Sequence, residues 1–101
     1  MTIAETVAAQ RAFFNTGKTL SVPFRRAALR RLRESILYHE TEISEALHAD
    51  LNKSPEESYL CEIGTTLSEL RFVEKHLQHW AADRRVLTPL AQFPARSFTV
   101  Q

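Results

Sequence analysis

Cysteine and glycine are nearly absent from this 101-residue sequence. A single cysteine, Cys61, closes no internal disulfide and builds no multi-cysteine zinc site. Two glycines, Gly17 and Gly64, are too few for a P-loop or a GxGxxG phosphate cradle. No apolar run approaches the roughly 20 residues of a membrane-spanning helix. The N-terminus, MTIAETVAAQ, carries Glu5 and lacks a basic head followed by an apolar block, so it does not read as a secretory signal. These absences fit a reducing, cytoplasmic location.

An excess of one charge is lacking too. The net charge is +1, too balanced to predict nucleic acid or an acidic membrane as a partner. The distribution is uneven, however. Residues 1–33 hold seven basic side chains against one acidic, and residues 34–85 hold five basic against eleven acidic. The reading adopted is that the two halves face each other across helix contacts and offset their fields.

What the chain does have is helical rhythm. Thr2 and Glu5 stand three apart, as in a capping box, and open a helix to about Asn15, with Gly17 as its left-handed stop. After a polar connector, Lys18 to Val22, a second helix starts near Ser21 or Val22 with Pro23 in its first turn. Phe24, Ala28, Leu32 and Ile36 form its stripe, widened by Leu29 and Leu37, and Arg26, Arg30 and Arg33 share the opposite side. A break is expected around Tyr38 to Thr41. Thr41 is expected to cap a third helix with Glu42 and Glu45 in its first turn, Ile43, Leu47 and Leu51 on its apolar line and Asn52 at its end.

The most pronounced stretch is Ser54 to Ala82. Ser54, Pro55 and Glu57 supply a cap, a first turn and a glutamate able to reach back. Leu60, Ile63, Leu67, Leu70, Val73, Leu77 and Trp80 then follow at spacings of three and four. A straight helix from Pro55 to Ala82 is about 42 Å long, whereas a compact domain of this size has a radius of gyration of about 13 Å. Gly64, Thr65 and Thr66 are expected to bend it. Pro89 and Pro94 exclude further helix, Val86 to Arg96 reads as extended loop, and residues 97–101 alternate like the start of a strand. No partner for that strand is evident, so the chain reads as a piece of a longer protein, or as one whose strand pairs with another copy. The fold class is all-α: three to four helices over residues 1–85, in a bundle-like or elongated layer, with an extended tail and the start of one strand over 86–101.

Candidate chemistry is sparse. Cys61 lies in mid-helix with no histidine a turn away, on a line with Thr65, Ser68 and Phe72, and is expected to be a small buried packing residue rather than a nucleophile. Glu45 and His48 form half of a bundle di-iron motif, and no second Glu-x-x-His exists. His76 and His79 alone make a weak metal pair, and His39 is the fourth histidine. Arg25, Arg26, Arg30, Arg31 and Arg33 are a dense cluster able to track phosphates, but without aromatic interleaving or a DNA-reading motif they read as a solvated, ion-paired face. No catalytic, cofactor-binding or metal-binding residue is assigned.

The run ADLNKSPEESYLCEIG, residues 49–64, resembles a stretch near the N-terminus of aldehyde dehydrogenases of the class 3 type. QRAFFNTGKT resembles that family's first helix and glycine stop. PFRRAALRRLRESILYHETEISEALHADL resembles the helix pair that follows, with Arg25, Leu29, Leu32, Glu42, Ile43, Ala46, Leu47, Asp50 and Leu51 in expected places. LSELRFVEKHLQHWAADRRVLTPL resembles the long helix and its Thr88-Pro89 connector, and PARSFTVQ the approach to the strand leading to the cofactor domain. The resemblance implies a full-length parent that oxidises aldehydes to carboxylic acids with NAD or NADP, through a cysteine, a glutamate and an oxyanion asparagine that all lie later in the family's sequence. Cys61 does not match the family's nucleophile. Residues 86–101 would then lead toward a cofactor-binding domain, and the partner of residues 1–85 would be the remainder of the enzyme. Self-association of the exposed stripes is expected. The alternative reading is an independent helical interaction module.

Overall fold

The computed structural model describes all residues, 1–101. Five helices and a two-stranded ribbon follow in order: α1 (Ile3–Asn15), α2 (Val22–Tyr38), α3 (Glu40–Leu51), α4 (Pro55–Ser58), α5 (Gly64–Ala81), β1 (Arg84–Val86) and β2 (Ser97–Thr99). The starts obey local chemistry. Thr2 Oγ1 accepts from the Glu5 amide at 3.2 Å, while the Glu5 carboxylate accepts from the Thr2 amide at 2.7 Å, closing the capping box. Ser21 accepts from the Phe24 amide and Ser54 from the Glu57 amide. The stops follow as well: Gly17 has φ 75° and Asn52 φ 55°, both left-handed. The polar connector tightens into a short 3₁₀ turn, Lys18–Leu20.

Three expectations are corrected. The α2–α3 joint is His39, which ends one helix and begins the next without a side-chain cap; Thr41 lies inside α3, and the first-turn acids are Glu40 and Glu42 rather than Glu45. His39 already satisfies the joint by donating from Nδ1 to the Ser35 carbonyl at 2.8 Å. The long helix is one helical path over 55–81, but it contains a wide π turn, Tyr59–Ile63. This turn adds a residue to the ring and shifts the phase of everything before it. Leu60 therefore leaves the stripe and is 73% exposed, whereas Ile63 and Leu67 are buried. Finally, Val86, expected to open the extended loop, is strand instead, and residues 84–86 form β1. They pair antiparallel with residues 97–99, Arg85 opposite Phe98, so the terminal strand has a partner within the chain. Thr88 Oγ1 donates to Ser97 Oγ at 2.8 Å across the neck of this ribbon.

The α2 helix lies along α5, and α3 docks on α4. Ile36, Ile43, Leu47 and Ile63 meet around a hollow of about 240 Å³, so three elements converge where the π turn hands over to α5. The opposed charges of the two halves meet here in part. Glu74 of α5 takes Arg30 Nε at 3.1 Å and Arg33 Nη2 at 3.8 Å from α2. Beyond this seam little is covered. Ile63, Leu67 and Ser58 are the only buried residues. On α2 and α3, Leu32 and Leu51 remain exposed although they lie on the apolar lines. The molecule measures 66 × 33 × 21 Å with a Cα radius of gyration of 20.2 Å. That is far above the roughly 13 Å of a compact domain of this length.

Three substitutions test this packing by urea denaturation. In an ordinary helix interior Gly→Ala is stabilising. At Gly64 an added Cβ would stand 2.7 Å from the Tyr59 carbonyl oxygen and 3.1 Å from its ring. Gly64→Ala is therefore expected to cost about 1–3 kcal/mol, and an unchanged or raised midpoint contradicts the π turn. Ser54 caps α4 and Ser58 is its last residue, and the two have opposite roles. Removing the Ser54 cap with alanine is expected to cost about 1 kcal/mol. The Ser58 hydroxyl is buried without a hydrogen-bond partner, so Ser58→Ala is expected to be neutral or stabilising; a loss as large as that at Ser54 contradicts this burial.

Candidate functional site

The side chains singled out by their chemistry are scattered rather than gathered. Cys61 is exposed, not the buried packing residue expected, because the π turn rotates it outward beside Leu60. No histidine lies within a turn of it along the helix. Glu45 and His48 part company. Glu45 lines a hollow of about 290 Å³ with Glu40, Thr41, Ser44, Pro55 and Ile63. His48 instead donates from Nδ1 to the Lys53 carbonyl at 3.1 Å, tying the end of α3 to the loop after it. No three of the His, Cys, Asp and Glu side chains converge where an ion would be held.

His76 belongs to an aromatic ladder on the outer face of α5. Its ring lies 4.3 Å from that of Phe72 and 5.5 Å from that of Trp80, stacked on the latter. Its Nδ1 donates to the Phe72 carbonyl at 2.8 Å, which fixes the ring along the helix. Positions 72, 76 and 80 share a face by their spacing of four, and His79 is exposed outside the ladder.

Two ionisable groups are perturbed, both by structural hydrogen bonds. The backbone and hydroxyl of Thr2 hold the Glu5 carboxyl below the usual carboxylate range, as a capping acid requires. Lys53 Nζ donates to Glu62 Oε1 at 2.6 Å, and this bond holds the ammonium above the usual lysine range. The pair links the loop before α4 to the π turn. Lys53 also feels the nearby Cys61 thiol, but its hydrogen bond goes to Glu62.

Gly17 ends α1 and Gly64 lies under Tyr59, so neither forms the strand–glycine–helix turn that receives a pyrophosphate. No helix is long and apolar enough to cross a membrane. The arginine-rich helix is divided by its contacts. Arg25 donates to the Thr19 carbonyl, Arg30 and Arg33 engage Glu74, and Arg26 and Arg30 line a shallow hollow with Arg71, Glu74 and Lys75. The meeting of Arg71 and Lys75 with the α2 arginines was not legible from α2 alone. The spacing of four between 71 and 75 was its only sequence signal.

No family model matches the chain. Individual proteins do. The 4,4'-diaponeurosporen-aldehyde dehydrogenase of Staphylococcus aureus is 41% identical over 88 residues, which are 87% of this chain and 19% of that protein. The dimeric NADP-preferring aldehyde dehydrogenase of Canis lupus familiaris is 42% identical over 91 residues, 89% of this chain and 20% of that protein. A chloroplastic aldehyde dehydrogenase family 3 member of Arabidopsis thaliana is 36% identical over 85 residues, covering 84% of this chain and 16% of its own. Among solved structures, Staphylococcus aureus AldH in a substrate-bound state matches 97% of this chain and 22% of its own at a TM-score of 0.86 and 39% identity. The chain thus spans about a fifth of the length of the relatives it matches. Chain-long identity of this order, carried by the same backbone, means that the chain belongs to the aldehyde dehydrogenase family, alongside its class 3 members, as a helical segment of it.

Proposed function

We propose that this chain is the N-terminal helical part of an NAD(P)-dependent aldehyde dehydrogenase whose full-length form oxidises aldehydes to carboxylic acids. The observation that carries the reading is identity of 41–42% over nearly nine-tenths of the chain to two named aldehyde dehydrogenases. In this reading residues 1–85 are a helical brace and residues 86–101 lead toward the cofactor-binding part. The ribbon strand Arg84–Val86 straddles that join. Catalysis, the choice between NAD and NADP and the aldehyde pocket are assigned to the remainder of the parent chain, which acts in the cytoplasm. No step is assigned to Cys61, His76 or His79. The test is an assay of the 101-residue chain, beside the longer product of its native gene, with NAD⁺ or NADP⁺ and a fatty or aromatic aldehyde. Reduced cofactor is expected from the longer product only. Turnover by the short chain, or none by a longer product, overturns the assignment.

The segment alone is also proposed to self-associate. Ile3, Phe14, Leu60, Leu87, Leu90, Phe93 and Val100 are each at least 64% exposed, which leaves apolar surface over the whole length of the molecule. Sedimentation equilibrium is expected to give a mass above 11.6 kDa. A monomer mass across the concentration range contradicts it.

A further inference from the structure

We propose that the hollow between α2 and α5 lined by Arg26, Arg30, Arg71, Glu74 and Lys75 binds a multivalent phosphate anion. Each helix supplies two cations one turn apart, Arg26 and Arg30 from α2, Arg71 and Lys75 from α5, and the α2–α5 contact brings the pairs face to face around about 260 Å³. One carboxylate, Glu74, enters the hollow. It is already engaged by Arg30 at 3.1 Å and by Arg33, from outside the hollow, at 3.8 Å. Arg26, Arg71 and Lys75 have no carboxylate within ion-pair distance. Like charges gathered in this way repel one another, and an anion of charge −2 or more relieves that repulsion.

The chemistry of the ligand follows from the lining. Guanidinium groups offer paired N–H donors that match two oxygens of one phosphate, and Lys75 adds a compact charge. No apolar or aromatic side chain lines the hollow, so nothing stacks on a base or covers a hydrocarbon. The recognised group is the phosphate itself, two or three linked units to span both helices. The Arg30–Glu74 bond holds one of the donors in place before the ligand arrives.

The probe is sodium tripolyphosphate, titrated calorimetrically into the 101-residue chain at low salt. One saturable site is expected, with affinity weakened by more than about tenfold when NaCl rises from roughly 50 to 200 mM. Arg26→Gln with Arg71→Gln is expected to weaken binding at least about tenfold, while Arg31→Gln, outside the hollow, leaves it unchanged. Circular dichroism reports whether each variant keeps its helices, and Lys75→Gln serves as a second, milder test. Phosphatidic acid vesicles distinguish a headgroup from a free anion. Pelleting of the chain that tripolyphosphate reverses supports the site. Pelleting without any saturable tripolyphosphate binding overturns the free-anion assignment. Absence of saturable binding at low salt, or undiminished binding by the double variant, overturns the proposal.

Discussion

The contact of α2 and α3 with the 55–81 helical path is where this chain fully buries large aliphatic side chains, and the remaining structure depends on it. Ile63 and Leu67 are buried there, and Arg30 and Arg33 close one edge over Glu74. Burial of a large aliphatic side chain stabilises by roughly 1.5–3 kcal/mol, while ordering each residue opposes folding by about 1–2 kcal/mol. Two such side chains cannot hold an elongated body of this length by themselves. Local devices carry much of the rest: caps at Thr2, Ser21 and Ser54, left-handed stops at Gly17 and Asn52, and the Lys53–Glu62 bridge across the loop.

Those devices are what the sequence makes legible, because each is decided within four or five residues. Serine or threonine three residues before an amide donor, and glycine or asparagine past the last turn, act the same way in any fold. The misread features are decided at longer range. Thr41 has the chemistry of a cap, but the joint forms at His39, whose ring satisfies the end of α2. A strict spacing of three and four assigns Leu60 to the stripe; a single π turn removes it and carries Cys61 outward. The pairing of 84–86 with 97–99 was hidden by Pro89 and Pro94, which break local periodicity without preventing two short strands from meeting. Pairing of this kind has no local signal when the loop between the strands is long.

The candidate site was legible chiefly through what is missing. With two glycines the chain offers no glycine-rich phosphate loop, and the rings of His39, His48 and His76 are each held by a backbone carbonyl. The family relationship gives that scarcity a physical sense. The segment matches only about a fifth of each relative, so most of the length of those proteins lies outside the match. The arginines of α2 illustrate the limit of one-helix reasoning: their opposite numbers on α5 become visible only when the two helices lie side by side.

These residues form an extended, largely uncovered layer rather than a self-sufficient bundle. Small-angle X-ray scattering of the 101-residue chain tests it most directly. A radius of gyration of at least 20.2 Å, the value of the single extended chain, is expected, with any association raising it. A folded particle near the roughly 13 Å of a compact domain of this length would contradict it.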